Sequence, residues 1–188
     1  MTAMSYRESI RAAIADAMRE DDTVIVMGED QRGGKGGINP DPTIEAFGGV
    51  MGVTKGLWTE FGDARVIDTP ITESAIMGMA AGAAATGLRP VAELMFMDFF
   101  GVCYDLIWNQ ASKFRYMFGG KAKTPMVMRG IIGAGIGAAA QHSASPYNIF
   151  TATAGVKVVC PSNAYDARGL LLTSIRDDDP VIFCEHKA

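Results

Sequence analysis

Short, unbroken apolar runs alternate with helical stretches along this chain, and that alternation limits its fold more than any other feature. The first run, residues 23–27, reads Thr-Val-Ile-Val-Met. It lacks the period-two alternation of a half-exposed strand, as expected of a strand covered on both faces. Further strands are predicted at residues 65–68, 91–96, 125–129, 156–160 and 180–184, with helices at 74–86, 101–117, 147–154 and 164–176. Ahead of them, Ser5 and Glu8 form a capping-box pattern, and Ile10, Ala13, Ile14, Ala17 and Met18 follow at helical spacing. The expected fold is α/β, an open, mostly parallel six-stranded sheet with helices on both faces. Ligands of such sheets sit beyond the carboxyl ends of the strands.

The length of 188 residues suits one domain with a sizeable core, so residues 1–188 are read as a single domain. A net charge of -4 offers no basic face to nucleic acid or to an anionic membrane. The longest uncharged helical stretch, residues 74–88, is shorter than the ~20 residues a bilayer requires. No signal-peptide pattern opens the chain, and a soluble cytoplasmic protein is expected. Cys103, Cys160 and Cys184 are odd in number, lie in apolar runs and form no CxxC pair, which suggests reduced, buried thiols.

Chemistry is therefore sought at the strand ends. Residues 66–74 run from a strand through a Pro-containing turn into a helix, with Glu73 in the helix's first turn. A carboxylate there can simply complement the helix dipole. The helix that follows, however, carries Gly78, Ala80, Ala81, Gly82, Ala83, Ala84, Ala85 and Gly87, so another backbone can approach closely. Such a helix is expected to be buried on most sides, its Gly78-xxx-Gly82 face meeting another subunit. A carboxylate opening a buried helix is either paired or functional.

Glu29 and Asp30 follow the first strand. Met95, Phe96, Met97, Phe99 and Phe100 end the third, where they either pack the core or hold the flat face of a heterocycle. The glycines at 133, 135 and 137 satisfy neither the dinucleotide fingerprint nor the P-loop pattern, which disfavours a nucleotide-binding domain. That loop instead presents His142, the side-chain type most easily poised for proton transfer near neutral pH. His186 reads as structural or surface.

Together these pieces resemble the β subunits of thiamine diphosphate-dependent 2-oxo acid dehydrogenase complexes. The markers are Met27-Gly-Glu-Asp30, Gly56-Leu-Trp58, Asp68-Thr-Pro-Ile-Thr-Glu73, Gly87-Leu-Arg-Pro90, Ala140-Gln-His-Ser143 and Ala164-Tyr-Asp-Ala-Arg-Gly-Leu170. Their order and spacing span the entire chain. The acetoin dehydrogenase branch is suggested by Phe114-Arg-Tyr-Met-Phe-Gly-Gly-Lys-Ala122, Val158-Val-Cys-Pro-Ser162, Val181-Ile-Phe-Cys-Glu-His-Lys187 and the glycine-rich insertion between Asp30 and Gly56. Pyruvate and branched-chain members share the core motifs.

The resemblance implies that Glu73 hydrogen-bonds the aminopyrimidine ring of thiamine diphosphate and favours the imino tautomer that takes the thiazolium proton. It implies that Ile71, Met95 and Phe99 line the pyrimidine, that Glu29 lies near the same pocket, and that His142 serves acyl transfer to the lipoyl group of a dihydrolipoyl acyltransferase. Met126, Ser174, Asp177 and Asp179 fall where some relatives hold potassium through main-chain oxygens.

The family's GDG motif, which binds the diphosphate and Mg²⁺ from the α subunit, does not occur, and Gly62-Asp63-Ala64 is not one. The expectation is half a cofactor site, completed by an α subunit, with a second β subunit in the assembly. The family's second domain is expected to be missing after Ala188. A truncated, catalytically silent, self-associating domain is the alternative of another class.

Overall fold

A computed structural model of the chain describes residues 4–32 and 48–187. Its strands are β1 (Val24–Gly28), β2 (Val66–Asp68), β3 (Arg89–Phe96), β4 (Val127–Ile132), β5 (Lys157–Val159) and β6 (Val181–His186). They form one six-stranded, all-parallel sheet in the order β2-β1-β3-β4-β6-β5. This is the expected α/β architecture. Most of the glycine-rich segment between Asp30 and Gly56 lies outside the described residues.

The buried strands feed two cores because successive side chains point to opposite faces. Val24, Val26, Val91, Val127, Val181 and Phe183 face α1 (Tyr6–Glu20) and α7 (Ala164–Arg176). Ile25, Met27, Ala92, Leu94, Met128 and Ile182 face α3 (Glu73–Ala85) and the segment around α4 (Phe100–Asp105). The capping box of α1 is formed. Glu8 N–H donates to Ser5 Oγ at 3.3 Å and Ser5 N–H to Glu8 Oε2 at 2.8 Å, satisfying donors that the first helical turn leaves free.

Three local expectations need correction. The single helix over residues 101–117 is broken into α4, a π-helical turn over Leu106–Ala111 and the short α5 (Phe114–Met117). Helix α3 buries Ile76, Met77, Ala80, Ala81 and Ala84 but leaves Ala75, Met79, Gly82 and Ala85 exposed, so one side stays open within this chain. Gly78 lies against Leu106, whereas a Cβ on Gly82 would meet nothing within 4 Å. Cys160, at the end of β5, is exposed, while Cys103 and Cys184 are buried as expected.

The helix expected at 147–154 is the shorter α6 (Tyr147–Thr151), whereas α2 (Leu57–Phe61), five residues long and not foreseen, is too short for periodicity to reveal. Among the described residues, no helix is long and apolar enough to cross a membrane.

Candidate active site

Strands β2, β1, β3 and β4 are consecutive neighbours, so the segments leaving them meet along one carboxyl edge. The exits of β1 and β2 are stitched together. Thr69 N–H donates to Gly28 O at 3.0 Å, and Arg32 N–H to Asp68 Oδ1 at 2.7 Å. Glu29 thus leaves β1 beside the turn that leads to Glu73, the half-buried first residue of α3. Burial raises the Glu29 carboxyl above the ordinary range, and the charges of Asp30, Glu73 and Glu93 raise it further. Both causes act on Glu29 in the same direction, against its charged form.

At the end of β3 the ladder to β4 slips between Glu93 and Phe96. Met95 adopts φ 72, the left-handed region that residues other than glycine rarely occupy. The irregularity places Met95 and Phe96 successively in one cluster with Ile131, against which Met51 and Phe99 pack. A bulge re-aims side chains at the edge of a sheet, and here it builds an apolar wall.

His142 ends a 3-10 turn (Ala140–His142) and sets its ring edge-on against that wall. Its centroid lies 4.8 Å from that of Phe96 and 5.4 Å from that of Phe99, at interplanar angles of 85° and 83°. Asp98 holds the loop by accepting the N–H groups of Ser143 (3.2 Å) and Ala144 (3.0 Å), and Lys187 Nζ donates to His142 O. Glu29, Glu73, Met95, Phe99 and His142 therefore share one edge of the sheet. Ile71, 74% exposed, stands in the turn before α3 on the open side.

The other sequence-derived set lies elsewhere. Met126 precedes β4, and Ser174, Asp177 and Asp179 precede β6, which puts all four at the amino-terminal edge. Met126 O accepts Val181 N–H at 2.9 Å, and Asp177 O accepts Arg89 Nη1 at 3.0 Å. Lys157 pairs with Asp177 at 2.7 Å, and Arg115 pairs with Asp179. Among the described residues no group of three or more His, Cys, Asp or Glu side chains could hold a metal ion.

A cluster behind the carboxyl edge escapes a reading confined to strand ends. Arg129 on β4, its side chain 1% exposed, donates from Nε and Nη2 to the two oxygens of Glu185 on β6 at 2.6 and 2.8 Å. Its Nη1 donates to Glu93 Oε2 on β3 at 2.7 Å. Burial opposes the charge on Arg129, yet Glu185 and Glu93 outweigh it and raise the pKa of the guanidinium. Burial also pushes the Glu185 carboxyl up against the pull of Arg129, and the charge of Glu93 adds to the rise. The signal was present as one charged residue inside each of three apolar strands.

Residues 2–188 match the family model described as transketolase, pyrimidine binding domain. The chain belongs to that family. It is 58% identical over 184 residues to the acetoin:2,6-dichlorophenolindophenol oxidoreductase subunit beta of Cupriavidus necator, covering 98% of this chain and 53% of that protein. The corresponding subunit of Bacillus subtilis is 55% identical over 98% of this chain and 54% of its own length. The 2-oxoisovalerate dehydrogenase subunit beta of Bacillus subtilis is 42% identical over 100% of this chain and 53% of its own.

This pyrimidine-binding domain thus spans about half the length of the curated relatives it matches. Its fold is shared with a split-gene transketolase described as an inactive beta4 tetramer. That likeness has a TM-score of 0.70 and 19% identity, over 99% of this chain and 52% of the other.

Proposed function

We propose that this pyrimidine-binding domain is the β-subunit part of a thiamine diphosphate-dependent acetoin dehydrogenase, and that it activates the cofactor for C–C cleavage and acyl transfer to lipoamide. One observation carries the reading: Glu73 opens α3 on the edge that also holds Glu29, Met95, Phe99 and His142. A carboxylate pair beside an aromatic and thioether wall suits a flat heterocycle with ring nitrogens at its rim. The similarity to acetoin oxidoreductase β subunits favours acetoin over pyruvate or branched-chain 2-oxo acids.

When bound, thiamine diphosphate supplies the carbanion chemistry. Glu73 would hold the aminopyrimidine at N1′ and bias its tautomer, with Glu29 beside it at the same edge. Ile71, Met95 and Phe99 line the ring and exclude water. His142, fixed at its main chain by Lys187 and flanked by Phe96 and Phe99, serves transfer to the lipoyl group of a dihydrolipoyl acyltransferase. An α subunit holds the diphosphate and Mg²⁺, and the open side of α3 meets a second β subunit, in a soluble cytoplasmic complex. Met126, Ser174, Asp177 and Asp179 are proposed to offer main-chain oxygens to potassium at the opposite edge.

The test assembles the chain at its natural length with its α subunit and follows thiamine diphosphate-dependent reduction of a dye by acetoin, pyruvate and branched-chain 2-oxo acids. Acetoin is expected to be the best substrate, and activity with none would sink the reading. Glu73→Gln is expected to lower kcat by about 100-fold or more, the scale of a lost acid–base group. Full activity in that variant would remove Glu73 from the mechanism.

A further inference from the structure

The buried charges behind the site reach it through one side chain. Gln31 is completely buried, and its Nε2 donates both to Glu93 Oε1 at 3.1 Å and to the main-chain oxygen of Glu29 at 2.9 Å. Its Oε1 accepts the hydroxyl of Thr54, another fully buried polar residue, at 3.0 Å. Glu93 is held in turn by Arg129 at 2.7 Å, and Arg129 by Glu185. A continuous chain of hydrogen bonds therefore runs from the centre of the sheet through Glu93 and Gln31 to the backbone of Glu29.

The surrounding backbone is fitted to this arrangement. A Cβ on Gly49, at φ 74, would approach Glu93 Oε1 to 3.0 Å and Gln31 Nε2 to 3.2 Å. One on Gly28 would approach Glu93 Cβ to 3.1 Å and the same amide nitrogen to 3.2 Å. The two glycines, both at positive φ, admit the backbone against the polar cluster at places where a side chain would crowd Gln31 and Glu93. Gly49 N–H also donates to Asp30 O at 2.8 Å, clasping the same turn from its other side.

Gln31 has no role in packing the apolar core, and its polar atoms would be costly to bury without these partners. What they jointly define is the position of the Glu29 turn.

We propose that Gln31, backed by Glu93 and Arg129 and braced by Thr54, is a positioning residue that fixes the Glu29 turn against the cofactor edge. The proposal rests on the reading of Glu29 as a cofactor-facing group. It predicts a split between cofactor saturation and turnover, because a misplaced Glu29 weakens the grip on the pyrimidine while leaving Glu73 in place.

The test uses the chain at its natural length, assembled with its α subunit, and measures the half-saturating thiamine diphosphate concentration and kcat for each variant. Gln31→Ala is expected to raise the half-saturating concentration by about fivefold, the scale of a lost buried hydrogen bond, with a smaller change in kcat. Thr54→Val, which keeps shape and loses only the hydroxyl, is expected to raise it about twofold, and Thr54→Ser to restore it. If Gln31→Ala does not assemble, the Thr54 pair decides.

Glu29→Gln separates the two failures. A response to Glu29→Gln with parental saturation in Gln31→Ala and Thr54→Val overturns the positioning role alone. No response to Glu29→Gln overturns the reading of Glu29, and the proposal with it.

Discussion

Two sets of carboxylates belong to the same sheet and live under opposite rules. Glu93 and Glu185 are embedded in the sheet, with side chains 9% and 6% exposed, and share the guanidinium of Arg129. Glu29 and Glu73 are half-buried at the edge, where burial and the neighbouring charges of Asp30, Glu73 and Glu93 disfavour the ionised form of Glu29. The first set is satisfied and rigid. The second is the one proposed to exchange a proton with a cofactor that binds later. Burial alone does not single out the carboxylates proposed to act on the cofactor, since the pair held by Arg129 is the more deeply buried.

The contrast is broken most severely by removing the shared cation. Arg129→Met leaves two buried carboxylates without a counter-charge and is expected to cost about 3–5 kcal/mol, read as a lower urea midpoint of the purified chain. Replacing Glu93, Arg129 and Glu185 together with Leu, Met and Leu is expected to recover most of that loss, because an apolar trio needs no charge balance. Failure to recover would mean that the cluster does more than neutralise itself.

The edge pair is expected to respond in the opposite direction. The pKa of Glu29 is raised on folding, so the stability it contributes is complete below the ordinary carboxylate range. That contribution is lost as pH rises through the raised value. Glu29→Gln should therefore raise the melting temperature by about 2 °C near pH 7 and leave it unchanged near pH 3. Equal melting curves at both pH values would show that neither burial nor the neighbouring charges penalise the Glu29 carboxylate. Smallest of all, Glu73→Gln is expected to change stability by no more than about 0.5 kcal/mol, the worth of one charge at a helix start, while abolishing most of the activity.

Much of the molecule was legible in the sequence where the governing rule is local. The capping box placed the start of α1, and the apolar spacing from Ile10 to Met18 marked the face it buries. The predicted helix at residues 164–176 has the bounds of α7, because Asn163 caps it through Asp166 N–H and Asp177 ends it. The motif around Glu73 placed that residue at a helix start, as found. Periodicity failed where the chain departs from regular geometry. The five-residue α2 gives no period, and the π-helical turn at Leu106–Ala111 continues an apolar pattern that reads as one long α-helix.

The sequence by itself determined the layered α/β order, a mostly parallel sheet and the segments that reach the carboxyl edge, since these follow from alternation, capping and the reach of short connections. Tertiary structure alone decided which charges meet. Glu93, Arg129 and Glu185 are separated by 36 and 56 residues, and only the strand order β3-β4-β6 makes them neighbours. The left-handed turn at Met95 and the link from Gln31 to Glu29 likewise depend on a bulge and a buried amide, neither of which any local pattern announces. A charge inside an apolar strand shows that a partner must exist, because burying it alone is too costly, but the partner's identity is fixed only when distant strands come side by side.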